Sequence, residues 1–122
     1  MTRKQIAQDF LKLASSGAVR DAFRLYISEN FKHHNVYFKG DADSLMLAME
    51  ESSKKNPNTI LQVHHALEDQ NMVAVHSYVQ HNETDLGIAV VHIFRFESDK
   101  IVELWDLGLP IPAEIINENG MF

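Results

Sequence analysis

VVHIFRF (90–96) and KIVELWD (100–106), joined by the polar turn Glu97-Ser98-Asp99, decide the fold of this chain. Side chains alternate across a strand, so each segment carries one titratable residue, His92 or Asp106, on one of its faces. If the two segments form a hairpin, these residues lie at or near the same level of the ladder. Because neighbouring strands are about 4.8 Å apart, the two side chains then meet on one face. A register slipped by one residue would separate them.

An imidazole and a carboxylate within apolar strands are costly to bury unless another group satisfies or uses them. A carboxylate becomes a useful base when apolar surroundings raise its pKa and a neighbour orients it. Leu104 and Trp105 flank Asp106, which favours that role, and His92 is the candidate to orient it or to protonate an enolate oxygen. The alternative is that Asp106 only ends its strand and accepts backbone N–H bonds.

The composition excludes several classes of protein. The 122 residues are 45% hydrophobic and 23% charged, which predicts a single globular domain spanning residues 1–122. A net charge of −6 argues against nucleic acid or an anionic membrane as a partner. The chain has no cysteine, which excludes disulfides and thiolate chemistry. With no signal-peptide pattern and no long apolar run, a cytoplasmic location is expected.

Hydrophobic periodicity predicts helices in the first half of the chain. Apolar residues recur at helical spacing over residues 3–15, and a second helix follows Gly17 and ends near Asn30. The segment 31–40 is irregular. A third helix, capped by Asp41 or Asp43, covers residues 45–49 and stops at 54–57.

Beyond Pro57 the pattern changes to alternation, which predicts strands over residues 59–68, 72–81, 87–97 and 100–107. Helices followed by a meander of strands are typical of an α+β fold in which helices cover one face of an antiparallel sheet. The tail after Pro110 is expected to form a loop or a short helix.

Three stretches carry a family resemblance: IAVVHIFRFESDKIVELWDLGLPIP (88–112), HHN (33–35) and DQNMVAVHSYV (69–79). Together they resemble the SnoaL-like polyketide cyclases of the nuclear-transport-factor-like superfold. The resemblance implies a cone-shaped barrel whose curved antiparallel sheet wraps about three N-terminal helices. The chain departs from the family in carrying Leu104 where many members have histidine, and histidine at position 92 where close relatives have aspartate.

The resemblance also implies a chemistry. In that family an aspartate on the last strand removes a proton next to a carbonyl, and the enolate closes a ring in an aldol reaction. Asp106 matches that aspartate, and His92 falls where those cyclases carry a pocket histidine. His34 and Asn35 match polar residues at the pocket mouth. No metal and no organic cofactor are implied.

Other polar side chains are open to two interpretations. In strand 72–81, His76 and Tyr78 share one face, which either lines the pocket or forms an outer surface. Trp105 either packs in a core or a dimer surface or contacts the ligand. Arg95 and Glu103 point away from His92 and Asp106, and we expect a cross-strand ion pair between them.

Seven histidines raise the alternative of a metal site built from His64 or His65 with His76, His92 and Asp106, but no recognised ligand spacing is present. We therefore predict no metal site.

The leading interpretation is an enzyme, polyketide cyclase-like or isomerase-like, that uses Asp106 as a general base on a small apolar carbonyl compound. Aldol cyclisation, isomerisation and dehydration all fit. Catalytic residues are Asp106 and His92, and substrate-binding residues are His34, Asn35, His76, Tyr78, Leu104 and Trp105. The alternatives are a binding module for a small lipophilic ligand and a dimerisation domain without a ligand. A homodimer through the sheet is expected.

Overall fold

In the computed structural model, which describes residues 1–122, the helices begin where the sequence supplies caps. The Thr2 hydroxyl accepts a hydrogen bond from the Gln5 backbone, and the Gln5 side chain accepts one from the Thr2 backbone, which forms a capping box. The Asp41 carboxylate caps the third helix by accepting from the Ser44 backbone at 3.0 Å. Gly17, with φ +95°, separates the first two helices. The helices are α1 (Arg3–Ser15), α2 (Val19–Tyr26) and α3 (Ala42–Lys55).

Five strands form one sheet: β1 (Ile27–His33), β2 (Ile60–Asp69), β3 (Met72–Gln80), β4 (Ile88–Glu97) and β5 (Lys100–Pro110). Their order is β1-β5-β4-β3-β2. The pairs β2–β3, β3–β4 and β4–β5 are antiparallel, whereas β1 is parallel to β5. The predicted α+β cone is confirmed, with one correction: the curved sheet is mixed rather than purely antiparallel, because β1 is parallel to β5. The sheet does not close on itself.

Strand β1 was not predicted. The sequence pattern predicts a second helix that ends near Asn30, but α2 ends at Tyr26 and the next seven residues form β1, which pairs with β5. The run Ile27-Ser28-Glu29-Asn30 has no alternating pattern to reveal this strand. Its backbone partners lie about 70 residues away in β5, so only the tertiary structure provides them.

The hydrophobic core fills the space between the three helices and the inner face of the sheet. Phe10 of α1 is fully buried, with its ring centroid 5.5 Å from that of Phe23 and 6.0 Å from that of Phe94. Each such aromatic side chain contributes about 1.5–3 kcal/mol when it is removed from water. This packing fixes the helices over β3, β4 and β5.

None of the three helices combines the length and the hydrophobicity that crossing a membrane requires.

Candidate active site

The β4–β5 hairpin brings His92 and Asp106 directly opposite each other, as the sequence predicts. The two-residue turn at Ser98 and Asp99 pairs Glu97 with Lys100, and a one-residue shift of the register between Phe96 and Arg95 then places Asp106 opposite His92. Ser98 turns the chain with φ +53°. Both His92 and Asp106 face the helices: 11% of the imidazole and 23% of the carboxylate side chain are exposed.

The carboxylate of Asp106 contacts two side chains. The Asn35 amide nitrogen donates to its Oδ2 at 2.9 Å, and the His92 Nε2 lies 3.5 Å from its Oδ1. The second distance is longer than an ordinary hydrogen bond, so a small movement of the ring would close it. Asn35 cannot rotate freely because its Oδ1 accepts from the Tyr37 backbone at 3.1 Å. Asn35, Asp106 and His92 therefore form an oriented chain from the β1–α3 loop into the sheet.

Burial lowers the pKa of His92 from its ordinary value near 6.5, and the negative charge of Asp106 opposes this only in part. The imidazole is therefore neutral at neutral pH. An ionised Asp106 can only accept hydrogen bonds, which favours the tautomer with the proton on Nε2 and leaves the lone pair on Nδ1. That Nδ1 atom is buried and has no hydrogen-bond partner within the chain.

Ser77 is a further polar residue of this region, and the sequence analysis did not single it out. It is fully buried on the inner face of β3, and its hydroxyl has no partner. It pairs with Val90, two positions from His92, so the two side chains are diagonal neighbours on adjacent strands. Ser77 alternates with Val73 and Val75 along β3, so it shares their face of the sheet. This pattern indicates burial only when that face is known to be the inner one.

An apolar cavity of about 150 Å³ lies between the ends of α1 and α3 and the inner face of the sheet, and His92 forms part of its wall. Asp106 does not line it. The other lining residues come from α1, α3, β2, β3 and the segments flanking β2 and β3: Leu11, Ala14, Ser15, Met49, Ser52, Ser53, Thr59, Leu61, Val79 and His81. The sequence analysis named none of them, because the docking of helices on a sheet leaves no local pattern.

None of the six predicted ligand-binding residues lines this cavity. His76, Tyr78 and Trp105 occupy the outer face of the sheet, since their strand neighbours Val75, Ser77 and Leu104 point inward. His34 also lies outside, where its ring stacks on Trp105 at 5.0 Å and its Nε2 contacts Glu103 at 2.6 Å. Leu104 points inward but is fully buried in the core, and it does not line the cavity.

The outer face also carries the expected ion pair. The Arg95 Nε donates to the Glu103 Oε1 at 3.0 Å, which confirms the prediction. Glu103 accepts from His34 as well, and Lys32 lies 3.7 Å from it. The hydrogen bond from His34, followed by that from Arg95, holds the pKa of Glu103 below its ordinary value against the effect of burial. The carboxylate thus joins β1, β4 and β5.

No group of three or more metal-ligating side chains is placed to hold an ion. The histidines of the metal alternative lie on opposite faces of the sheet. His65 and His76 meet on the outside, with their Nδ1 atoms 3.0 Å apart, whereas His92 is inside. The sheet therefore separates the ligands that this alternative would combine.

Solved structures with the same arrangement of helices and strands identify the fold. An NTF2-like protein of unknown function from Cytophaga hutchinsonii superposes with a TM-score of 0.72 at 19% identity, over 90% of this chain and 92% of that one. The fold is NTF2-like. A candidate polyketide cyclase from Bacillus cereus matches with a TM-score of 0.73 at 21% identity, over 84% of this chain and 71% of that one.

A candidate SnoaL-like polyketide cyclase from Jannaschia sp. shares the NTF2-like fold with a TM-score of 0.67 and 13% identity, over 85% of each chain. These likenesses support the resemblance inferred from the sequence at the level of the fold. No protein-family model matches the sequence, and no curated protein matches it significantly. Because one fold hosts many reactions, the function has to be argued from the site.

Proposed function

We propose that this NTF2-like protein is a small-molecule enzyme that carries out acid–base chemistry, without a cofactor, on a small apolar carbonyl compound. Aldol cyclisation, isomerisation and dehydration all begin with removal of a proton next to a carbonyl group. The observation that carries the proposal is a neutral imidazole in the wall of an apolar cavity, backed by a carboxylate that an amide holds in place.

In the mechanism that fits this geometry best, His92 is the base. After a rotation of the ring that exposes Nδ1, which is buried in this conformation, Nδ1 takes the α-proton of the substrate, and the electron pair of the broken C–H bond moves onto the carbonyl oxygen as an enolate. The imidazolium formed is stabilised by the negative charge of Asp106, 3.5 Å from Nε2. In an isomerisation the same proton then returns to another carbon, and in a dehydration it goes to the hydroxyl group that leaves as water. In an aldol cyclisation the enolate carbon attacks a second carbonyl carbon, and the oxygen of that carbonyl takes the proton.

These roles differ from those expected from the sequence, in which Asp106 is the base. The support for exchanging them is that the cavity reaches His92 and does not reach Asp106. Asp106 then acts as a positioning residue that selects the tautomer of His92, and Asn35 positions Asp106.

The size of the cavity limits the substrate. An apolar cavity of about 150 Å³ holds a single six-membered ring such as benzene. We therefore propose a monocyclic or short-chain carbonyl group as the part that enters, rather than a fused polycyclic ring system.

Exchange of α-hydrogens in deuterated water, followed by NMR on a panel of small ring ketones, tests this proposal without knowledge of the natural substrate. We expect the wild type to catalyse the exchange and His92→Gln to lower the rate by about 10²–10⁴-fold, the usual contribution of a general base. His76→Gln, on the outer face, is the matched control and should leave the rate unchanged.

Asp106→Asn separates the two role assignments. A smaller loss than in His92→Gln supports His92 as the base, whereas an equal or larger loss returns that role to Asp106. A His92→Gln protein with full exchange activity would rule out the imidazole as the base.

The second candidate is a binding module for a small lipophilic molecule. The apolar lining of the cavity and the distance of Asp106 from it favour this reading. Binding of the ring ketones to the wild type, with no exchange above the background rate in water, would establish binding alone.

A further inference from the structure

A second pocket lies beside the apolar cavity, between the α3–β2 loop and the β3–β4 loop. Its volume is about 500 Å³, and Ile60 is its one hydrophobic residue. The polar side chains that line it include Lys55, Asn56, Asn58, Gln80, Asn82 and Glu83. An apolar inner cavity therefore adjoins a polar outer pocket.

His81 belongs to both pockets and is the residue where they meet. Its backbone is fixed, because its N–H donates to the Asp85 carboxylate at 3.0 Å, which also accepts from the Gly87 N–H. Its side chain is held only weakly, with 3.4 Å between Nδ1 and the Thr59 hydroxyl. The imidazole can therefore swing while the strand end stays in place.

The outer pocket has hydrogen-bonding capacity that the chain itself does not use. The Asn58 side chain makes no hydrogen bond, and the Asn56 side chain uses only its amino group, toward Ser52. Asn82 uses only its oxygen, toward Thr84. The Lys55 ammonium is already paired with Glu51 at 3.0 Å, so the pocket offers neutral amides and the Glu83 carboxylate, which favours hydroxyl or amide groups over anions.

We infer that the ligand is amphipathic, with a small apolar carbonyl end in the inner cavity and a neutral, hydroxyl- or amide-rich head in the outer pocket. The His81 side chain then gates the passage between the two. This inference rests on the proposed function for the identity of the inner site and adds the class of the remainder of the ligand. A single ring fills the inner cavity, and the path past His81 leads the remainder of a larger ligand into the outer pocket.

Calorimetric titration with two matched probes tests the outer pocket. The probes are 4-methoxyacetophenone and 4-acetylphenyl β-D-glucopyranoside, which share the acetophenone end. We expect the glucoside to bind about tenfold more tightly, the gain that two or three neutral hydrogen bonds supply. Asn58→Ala should remove much of this gain without changing the binding of 4-methoxyacetophenone. Asn30→Ala, at the opposite edge of the sheet, is the control.

Equal binding of the two probes would overturn the amphipathic ligand while leaving the proposed chemistry intact, because the exchange assay measures that chemistry separately. Binding of neither probe would overturn the inference together with the inner site.

The gating role of His81 is tested by the rates of ligand binding. In His81→Ala we expect the association and dissociation rates of 4-methoxyacetophenone to rise together severalfold, with an almost unchanged dissociation constant, as NMR exchange measurements can show. A change confined to the dissociation rate would make His81 an ordinary contact residue, and unchanged rates would remove it from the path. His65→Ala, on the outer face, is the control.

Discussion

At the scale of single residues, His92 is the most informative side chain of the chain. Its imidazole lines the apolar cavity, and burial lowers its pKa so that it stays uncharged. Its Nδ1 has no hydrogen-bond partner within the protein. An unpaired polar atom in the interior normally costs about 1–3 kcal/mol. A protein that retains such an atom beside a cavity is carrying a group suited to act on a ligand.

The same residue predicts how stability depends on pH. Because the folded-state pKa of His92 is lowered, the unfolded chain binds this proton more readily, so stability falls as the pH drops below about 6.5, the unfolded value. The slope due to this one group is at most about 1.4 kcal/mol per pH unit. Urea unfolding between pH 5 and 8 should show a shallower loss in His92→Gln. His64→Gln should keep the wild-type slope, and an identical slope in both variants would contradict the prediction.

Glu103 affects the stability of the fold in a separate, more acidic pH range. Its folded-state pKa is lowered, chiefly by the hydrogen bond from His34, so its contribution is complete above the ordinary glutamate value and is lost as the pH falls through the folded value. We expect His34→Ala to shift this acid loss to higher pH, as circular dichroism during acid titration can measure. A titration curve unchanged by the substitution would contradict the assignment.

At the scale of elements, the β4–β5 hairpin determines the site and the sequence was sufficient to predict it. Two alternating segments and a short turn predict the hairpin. The register that continues from the turn would place Trp105 opposite His92, and a one-residue shift between Phe96 and Arg95 brings Asp106 there instead. The HHN segment shows the opposite case. Asn35 reaches the Asp106 carboxylate while His34, one residue earlier, lies on the outer face with Glu103. Local sequence could not separate them, because β1 pairs with a strand about 70 residues away.

The hairpin turn yields a prediction of its own. Ser98 has φ +53°, a left-handed conformation that L side chains adopt at a cost of roughly 1 kcal/mol. Ser98→Gly should remove most of that cost, and after the greater flexibility of glycine in the unfolded chain is counted we expect a gain of about 0.5 kcal/mol. Chemical denaturation measures it. Asp99→Gly is the control, since Asp99 is not in the left-handed region, and equal effects would contradict the explanation.

At the scale of the whole molecule, the outer face of the sheet exposes three leucines beside its polar residues. Leu67, Leu107 and Leu109 point outward and are 68%, 59% and 61% exposed. Large exposed apolar surfaces commonly mark contacts with other proteins. We propose that two copies of this chain pair through that face, as the sequence analysis expected.

Sedimentation equilibrium tests the pairing. The wild type should be dimeric, and Leu107→Glu combined with Leu109→Glu should be monomeric, because charges would be buried without partners. Leu86→Glu is a matched control, since Leu86 is equally exposed but lies in the β3–β4 loop. A wild-type monomer at every concentration would contradict the proposal.

The sequence alone determined the α+β class, three helices, four of the five strands and the opposition of His92 and Asp106. The class, the helices and these strands follow from local periodicity, and the opposition of His92 and Asp106 also depends on the one-residue register shift beyond the turn. Only the tertiary structure decided that β1 joins the sheet, which face of β3 points inward, and that His92 rather than Asp106 borders the cavity. Those features depend on contacts between residues far apart in the chain, and a cavity is the space that packed elements leave between them. No single segment encodes that space.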